Sequence, residues 1–344
     1  MPDFRISLLL SRLTALFLLA VPAFATEAAA SRPPPSVTAT LGIEDTAGLE
    51  RGEIVAYDVR EPNDKTLAAG LAMHVEAAPE RLIAAVREGA LLAGDPEVIA
   101  SGTILPDNGP EALERFEFRP SDSEEVEALR EVEPGSEFNL SEAEIEGFRT
   151  LAQTLENEPE AAKLRAISRR YREVLWQRLA SYRKDGLGGI APYARSSGQA
   201  VDVAAELRLF TEQNAVLRHY SPELQMALLT FPSVLPAGVT STLQWVERKV
   251  EGRPTPILVH QMIQRGGGGA VVAVRDFYVG HSFNSSQMVL GMLPDRNGSL
   301  VFYSHYTSTD QVAGVGKGLK HAIGRERLRA VMFGRMERFR ALAR

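Results

Sequence analysis

The chain contains no cysteine. It therefore forms no disulfide, presents no thiolate to a metal or an electrophile, and offers no thiol for lipidation. Sequence signatures of chemistry are missing too. The six histidines, His74, His219, His260, His281, His305 and His321, show no H-E-x-x-H or comparable metal spacing, and no G-x-S-x-G elbow frames a serine. After the first 25 residues no apolar run approaches the roughly 20 needed to span a bilayer. A net charge of −6 is a poor basis for general nucleic-acid binding. Neither a metal nor a cofactor is expected, and nucleic acid is not an expected partner.

One glycine-rich stretch, "STDQVAGVGKGLKHAIG" at 308–324, invites a nucleotide reading and fails it. With Lys317 in the lysine slot of a phosphate-binding loop, Gln311 stands where the first glycine belongs and Gly318 where a serine or threonine should hold magnesium. Gly314 and Gly316 also lack a third glycine at dinucleotide spacing, and only 26 residues follow Gly318, too few for a nucleotide fold. The stretch reads as a flexible hinge before the last helix. Lys317 there is a candidate contact for an anionic ligand group.

What is present is ordinary globular material, 44% hydrophobic and 24% charged. The opening "MPDFRISLLLSRLTALFLLAVPAFATEAAA" has Arg5 and Arg12, an apolar core at 13–21 and a small-x-small site at Ala23-Phe24-Ala25. Residues 1–25 are thus expected to be a signal peptide cleaved after Ala25, and the protein to be exported, periplasmic or secreted. Residues 26–50, containing "SRPPPSVTAT", read as a flexible linker.

Residues 51–121 read as β-β-α-β-β: strands in "EIVAYDV", "LAMHVEA", "EVIASGTI" and "ERFEFR", with a helix in "APERLIAAVREGALLA" begun by Pro79. Residues 122–235 turn helical. Asn139 or Ser141 is a candidate cap, Leu164, Ile167, Tyr171, Val174 or Leu175, and Tyr182 form an apolar stripe, and glycines 186, 188 and 189 end that helix. Residues 236–344 alternate as five strands joined by "EGRP", "RGGGG" and "DRNG", an antiparallel meander closed by a long helix. In that helix Leu319, Ala322 and Ile323 share one face and Leu328, Met332, Met336, Phe339 and Leu342 nearly the opposite one, which predicts a bend or a change of environment near Gly324.

Charge is segregated. From Lys317 onward nine basic residues face Glu326 and Glu337, while residues 111–160 hold sixteen acidic and four basic ones. The acidic helices are expected to supply partners for the basic helix, with an anionic membrane surface as the other possible partner. If "RGGGG" turns a regular hairpin, His260 lies near Val274, and Asp276 and Tyr278 share its face, with Trp245 on the next strand. Trp245, His260, Tyr278 and Lys317 are then candidate ligand contacts. His260, Asp276 and Tyr278 are candidate catalytic groups, His260 and Asp276 as an acid–base pair. His281, His305 and Asp310 form a second set.

The stretches "LAMHVEAAPERLIAAVRE" and "SLVFYSHYTSTDQVAGVGKGLKHAIGRERLRAVMFGRMERF" give an early strand with its helix and a last strand, loop and helix. This order resembles the START/Bet v 1-like (helix-grip) superfamily, from which the large helical insertion departs. The resemblance implies an α+β fold, a curved antiparallel sheet packed on a long C-terminal helix, and between them an apolar pocket for lipid-like molecules. The resulting expectation is an exported protein that binds or transfers a small hydrophobic ligand. An exported enzyme of hydrolase or cyclase type using the same cavity, and an envelope interaction protein docking through its insertion or basic helix, are the alternatives.

Overall fold

Alternating strands and one long terminal helix dominate the last third of the chain. In the computed structural model, which describes residues 36–343 apart from 197 and 315, the chain begins with α1 (Val37–Leu41), α2 (Thr46–Glu50), β1 (Val55–Tyr57), β2 (Thr66–Val75), α3 (Pro79–Arg87) and β3 (Val98–Ile104). Next come α4 (Ser123–Arg130), α5 (Glu142–Thr154), α6 (Glu160–Asp185), the short pair β4 (Tyr193–Ala194) and β5 (Ala200–Val201), α7 (Val203–Gln213), α8 (Ala215–Tyr220) and α9 (Pro222–Thr230). The meander is β6 (Val239–Val250), β7 (Arg253–Gly266), β8 (Gly269–Val279), β9 (Ser285–Asp295) and β10 (Gly298–Ser308), and α10 (Lys317–Ala343) closes it. The signal segment and its cleavage site lie outside the described residues.

Eight strands form one antiparallel sheet in the order β1-β2-β10-β9-β8-β7-β6-β3. Because β2 lies near one edge and β3 forms the other, the connection through α3 crosses the sheet face. The pleat sends alternate residues to opposite sides. On β10, Val301 and Tyr303 join the core beneath α3 and α10, whereas Phe302 and Tyr306 join the cores on the other side. That other side is covered by the helical layer, with α7 and α9 against β7–β9.

Local signals explain the helix limits. The Ser141 hydroxyl accepts from the Glu144 N–H and the Glu144 carboxylate accepts from the Ser141 N–H, so Ser141 is the cap of α5. Asn139, the other candidate, instead donates its amide to the carbonyls of Val279 and Phe283, at 3.0 and 2.8 Å. Ile167, Tyr171, Val174, Leu175 and Tyr182 are all buried on α6, as their spacing predicts.

Two expectations are corrected. Within the expected linker, Val37–Leu41 and Thr46–Glu50 form α1 and α2, whose Leu41 and Leu49 pack in the core with Val216 and Leu217 of α8. Residues 114–119 form no strand. Phe116 and Phe118 alternate with charged neighbours and are buried, their rings 5.4 Å apart. However, the Phe118 N–H donates to Ser168 Oγ at 3.1 Å and the Phe116 carbonyl accepts from Arg172 at 2.8 Å. Tertiary partners satisfy the backbone groups a ladder would have taken.

Along α10 the environment changes as its pattern predicts. Leu319 and Ile323 are exposed, at 70% and 49%, whereas Met332, Met336 and Phe339 are buried; the Leu342 side chain lies outside the described residues. Gly324 permits the close approach to the sheet, since a Cβ there would stand 2.7 Å from Leu67. The cations of α10 do not use the acidic 111–160 segment. Among the described residues Lys317 pairs with Asp64 at 2.7 Å, Arg325 with Glu61 at 2.9 Å, Arg329 with Asp58 at 3.5 Å and Arg338 with Asp95 at 3.8 Å. The acidic helix α5 packs with α4 and α6 in the helical layer, whereas α10 packs on β2 and α3.

Candidate functional site

The β7–β8 hairpin decides which candidates meet. Pairing is regular from Gly266↔Gly269 to Val259↔Asp276, but Leu258 then pairs with Tyr278. Phe277 is the extra residue of a β-bulge. Before that bulge, the two-residue connection between Gly266 and Gly269 sets His260 opposite Arg275 rather than Val274. His260, Trp245 and Tyr278 face the helical layer, while Asp276 lines a cavity on the other face. His260 and Asp276 do not form an acid–base pair, because the sheet separates them.

Each candidate under the helical layer is already partnered. His260 is fully buried, with Nδ1 2.8 Å from the Tyr182 hydroxyl and Nε2 2.7 Å from Ser241 Oγ. Burial, and then the Arg275 guanidinium, push its pKa down to about 3, so the ring is neutral at physiological pH. The Trp245 indole donates to the Ala112 carbonyl at 2.9 Å, and the Tyr278 hydroxyl sits 2.7 Å from that of Tyr171. Burial raises the Tyr278 hydroxyl well above the usual phenol range. Lys317 is held by Asp64 at the start of α10. The second set is scattered: His281 bonds Ser282 and Thr255, Asp310 pairs with Lys65 and Arg195, and only His305 reaches the cavity.

That cavity, about 110 Å³, lies between the sheet and the pair α3 and α10. Its walls are mostly apolar: Val86 and Leu91 at and after the end of α3, Val246, Ile257, Val259, Val274, Met288 and Leu290 from the strands, and Met336 and Phe339 from α10. The polar groups are Arg248, Asp276, Ser286, Tyr303, His305 and Arg335, with Gln244, Gln261 and Arg338. Gly89, at φ 94°, and its neighbours through Leu92 form the loop wall. None of the described residues in 308–324 lines it.

Hydrogen bonds order this polar set. Arg335 Nη1 donates to the Tyr303 hydroxyl at 3.1 Å, and that hydroxyl lies 2.9 Å from His305 Nδ1. Burial, then Arg335 and Arg248, lower the His305 pKa to about 3, so its ring is neutral. Arg248 Nη2 donates to Asp95 at 3.1 Å. Asp276 accepts from Ser286 Oγ at 2.6 Å, and burial raises its carboxyl above the ordinary range against the pull of that hydroxyl and the two arginines.

Arg335 had a sequence signal: it interrupts the stripe of Met332, Met336 and Phe339 with a cation on the buried side. Arg248 had only the alternation that sets it opposite Glu247 across the pleat. Among the described residues no three His, Asp or Glu side chains converge as a metal site, and no helix is long and apolar enough to cross a membrane.

These features define an α+β protein with a large antiparallel sheet, a C-terminal helix packed against it, and a cavity between sheet and helix that is apolar along its walls and basic at one end. Comparison with protein-family models, curated proteins and solved structures finds no match to this chain.

Proposed function

We propose that the protein is exported and binds, or carries, a small largely apolar ligand in the cavity between the sheet and α10. The apolar wall of that cavity is the observation that carries the reading. A C-terminal helix lying across an antiparallel sheet also supports the START/Bet v 1-like, helix-grip resemblance. Burial of the ligand would supply most of the affinity, about 25 cal/mol per Å² of apolar surface before ordering costs.

Val274 gives the test, because it lies between Gln261 and Met288 on its neighbouring strands and all three line the cavity. Native mass spectrometry of protein purified from its own compartment should show a small adduct. Val274→Trp, which fills the space with an indole, should reduce adduct occupancy at least about tenfold while leaving the fold intact. An adduct retained undiminished by the folded variant would place the ligand elsewhere.

A second reading concerns the outer side of α10, where Leu319, Ile323, Val331 and Phe333 are exposed beside the exposed Lys320 and Arg327. This combination suits an anionic membrane surface. Flotation with vesicles containing anionic lipid should fall at least about tenfold in Leu319→Ser/Ile323→Ser and at high salt. Equal flotation of variant and parent would sink this reading.

A further inference from the structure

The cavity's basic end says what kind of ligand it takes. Arg335, Arg248 and Arg338 line it, and Asp276 and Asp95 are the carboxylates nearby. Asp95 is shared by Arg248 and Arg338, and Asp276 is bonded to Ser286. Among the described residues Arg335 has no carboxylate within ion-pair distance; its one hydrogen bond is to the neutral Tyr303 hydroxyl. The Nε–H groups of both Arg335 and Arg248 are buried without an acceptor. Three cations against two carboxylates leave one positive charge uncompensated, and leaving such donors unsatisfied is costly.

The hydrogen-bond directions add a further donor. With Arg335 donating to the Tyr303 hydroxyl, the His305 tautomer that gives that hydroxyl's own proton an acceptor is the one with Nδ1 unprotonated. A neutral His305 then carries its ring proton on Nε2, for which no partner is present among the described residues. The polar end is thus rich in donors and short of acceptors. A ligand that completes it brings oxygen acceptors and one negative charge.

We propose that the cavity binds a monocarboxylic acid, its carboxylate among Arg335, Arg248 and His305 and its apolar body along Val259, Val274 and Leu290. This inference rests on the reading of the cavity as a ligand site. A single negative charge matches the single excess positive one, and a planar guanidinium matches two carboxylate oxygens. Against the roughly 150 Å³ that takes benzene, a cavity of about 110 Å³ holds the carboxylate and the first few carbons of such an acid.

Octanoate and octanol have the same chain and differ in the head group, so they separate the two ideas. By calorimetry at pH 7, octanoate should bind the full protein at least about tenfold tighter than octanol, since hydrogen bonds to a charged group are worth that much. Arg335→Met, which keeps the apolar stem, should bring octanoate down to the octanol affinity, and Val274→Trp should remove both. Equal binding of the two probes by the parent protein would overturn the acid while leaving an apolar ligand site in place. Failure of both to bind would overturn the ligand site itself and the acid with it. The parent comparison needs no variant, so a poorly folded Arg335→Met still leaves the proposal decided.

Discussion

Acidification from about pH 6.5 to about pH 4 is expected to remove the stability that three histidines contribute by being buried neutral. His260, His281 and His305 have their pKa values pushed down from 6.5 to about 3, 4 and 3, burial being the leading cause in each. In the unfolded chain they take up protons near pH 6.5; in the folded chain they do not. A group with a depressed folded pKa contributes stability that is complete above its unfolded value and is lost as pH falls through the window between the two. Each can contribute a slope of about 1.4 kcal/mol per pH unit inside that window.

Four buried carboxyl groups oppose this. Burial raises the pKa values of Glu125, Glu206, Glu247 and Asp276, so the folded state takes up these protons first and regains stability as pH falls toward their unfolded values. A variant isolates the histidine part. His260→Gln can still accept from Tyr182 and donate to Ser241, and its stability between pH 6.5 and 4 should vary less steeply by about 1.4 kcal/mol per pH unit. Urea unfolding across that range measures the slope. An unchanged slope would mean that His260 is charged in the folded core.

The second large effect is expected at Tyr182. Its ring is fully buried and stacks on Phe277 with centroids 3.9 Å apart and on Phe231 at 5.2 Å. Its hydroxyl meets His260 and accepts from Arg275 Nη1 at 3.4 Å. Tyr182→Ala should cost about 3–5 kcal/mol in denaturant unfolding, from lost transfer energy and the cavity left between α6 and the sheet. Tyr182→Phe keeps the stack and removes only the hydroxyl, at a cost of about 1–2 kcal/mol. Equal losses from both substitutions would assign the contribution to the hydrogen bonds rather than to the stacked rings.

Tyr182 also shows why the helical layer holds. Arg275, fully buried, donates to the Leu228 carbonyl at 2.9 Å and to Thr211 Oγ1 at 2.9 Å, while its Nε meets Gln287 at 3.3 Å. One side chain on β8 thereby joins α6, α7, α9 and β9. Its acceptors are neutral, so the cation is held by hydrogen bonds alone, and the nearby His260 must stay uncharged.

The sequence by itself determined the elements. Period-two alternation marked β6 to β10, three- and four-residue spacing marked α6, and the Ser141 and Glu144 pair marked a helix start, because each reports on neighbours a few residues away. The changing faces of α10 were legible for the same reason. Only the tertiary structure decided which faces meet. The two-residue turn set His260 opposite Arg275 and Asp276 on the other face, and one bulged residue, Phe277, returned Tyr278 to the side of His260 under the helices; no short-range pattern encodes that insertion. Phe116 and Phe118 looked like a strand because alternation reports burial, not hydrogen-bond partners. The basic end of the cavity joins Arg248, Tyr303, His305 and Arg335 from two strands and a helix. Their meaning lies in a shortage of acceptors around them, which is a property of the packed fold and of no local stretch.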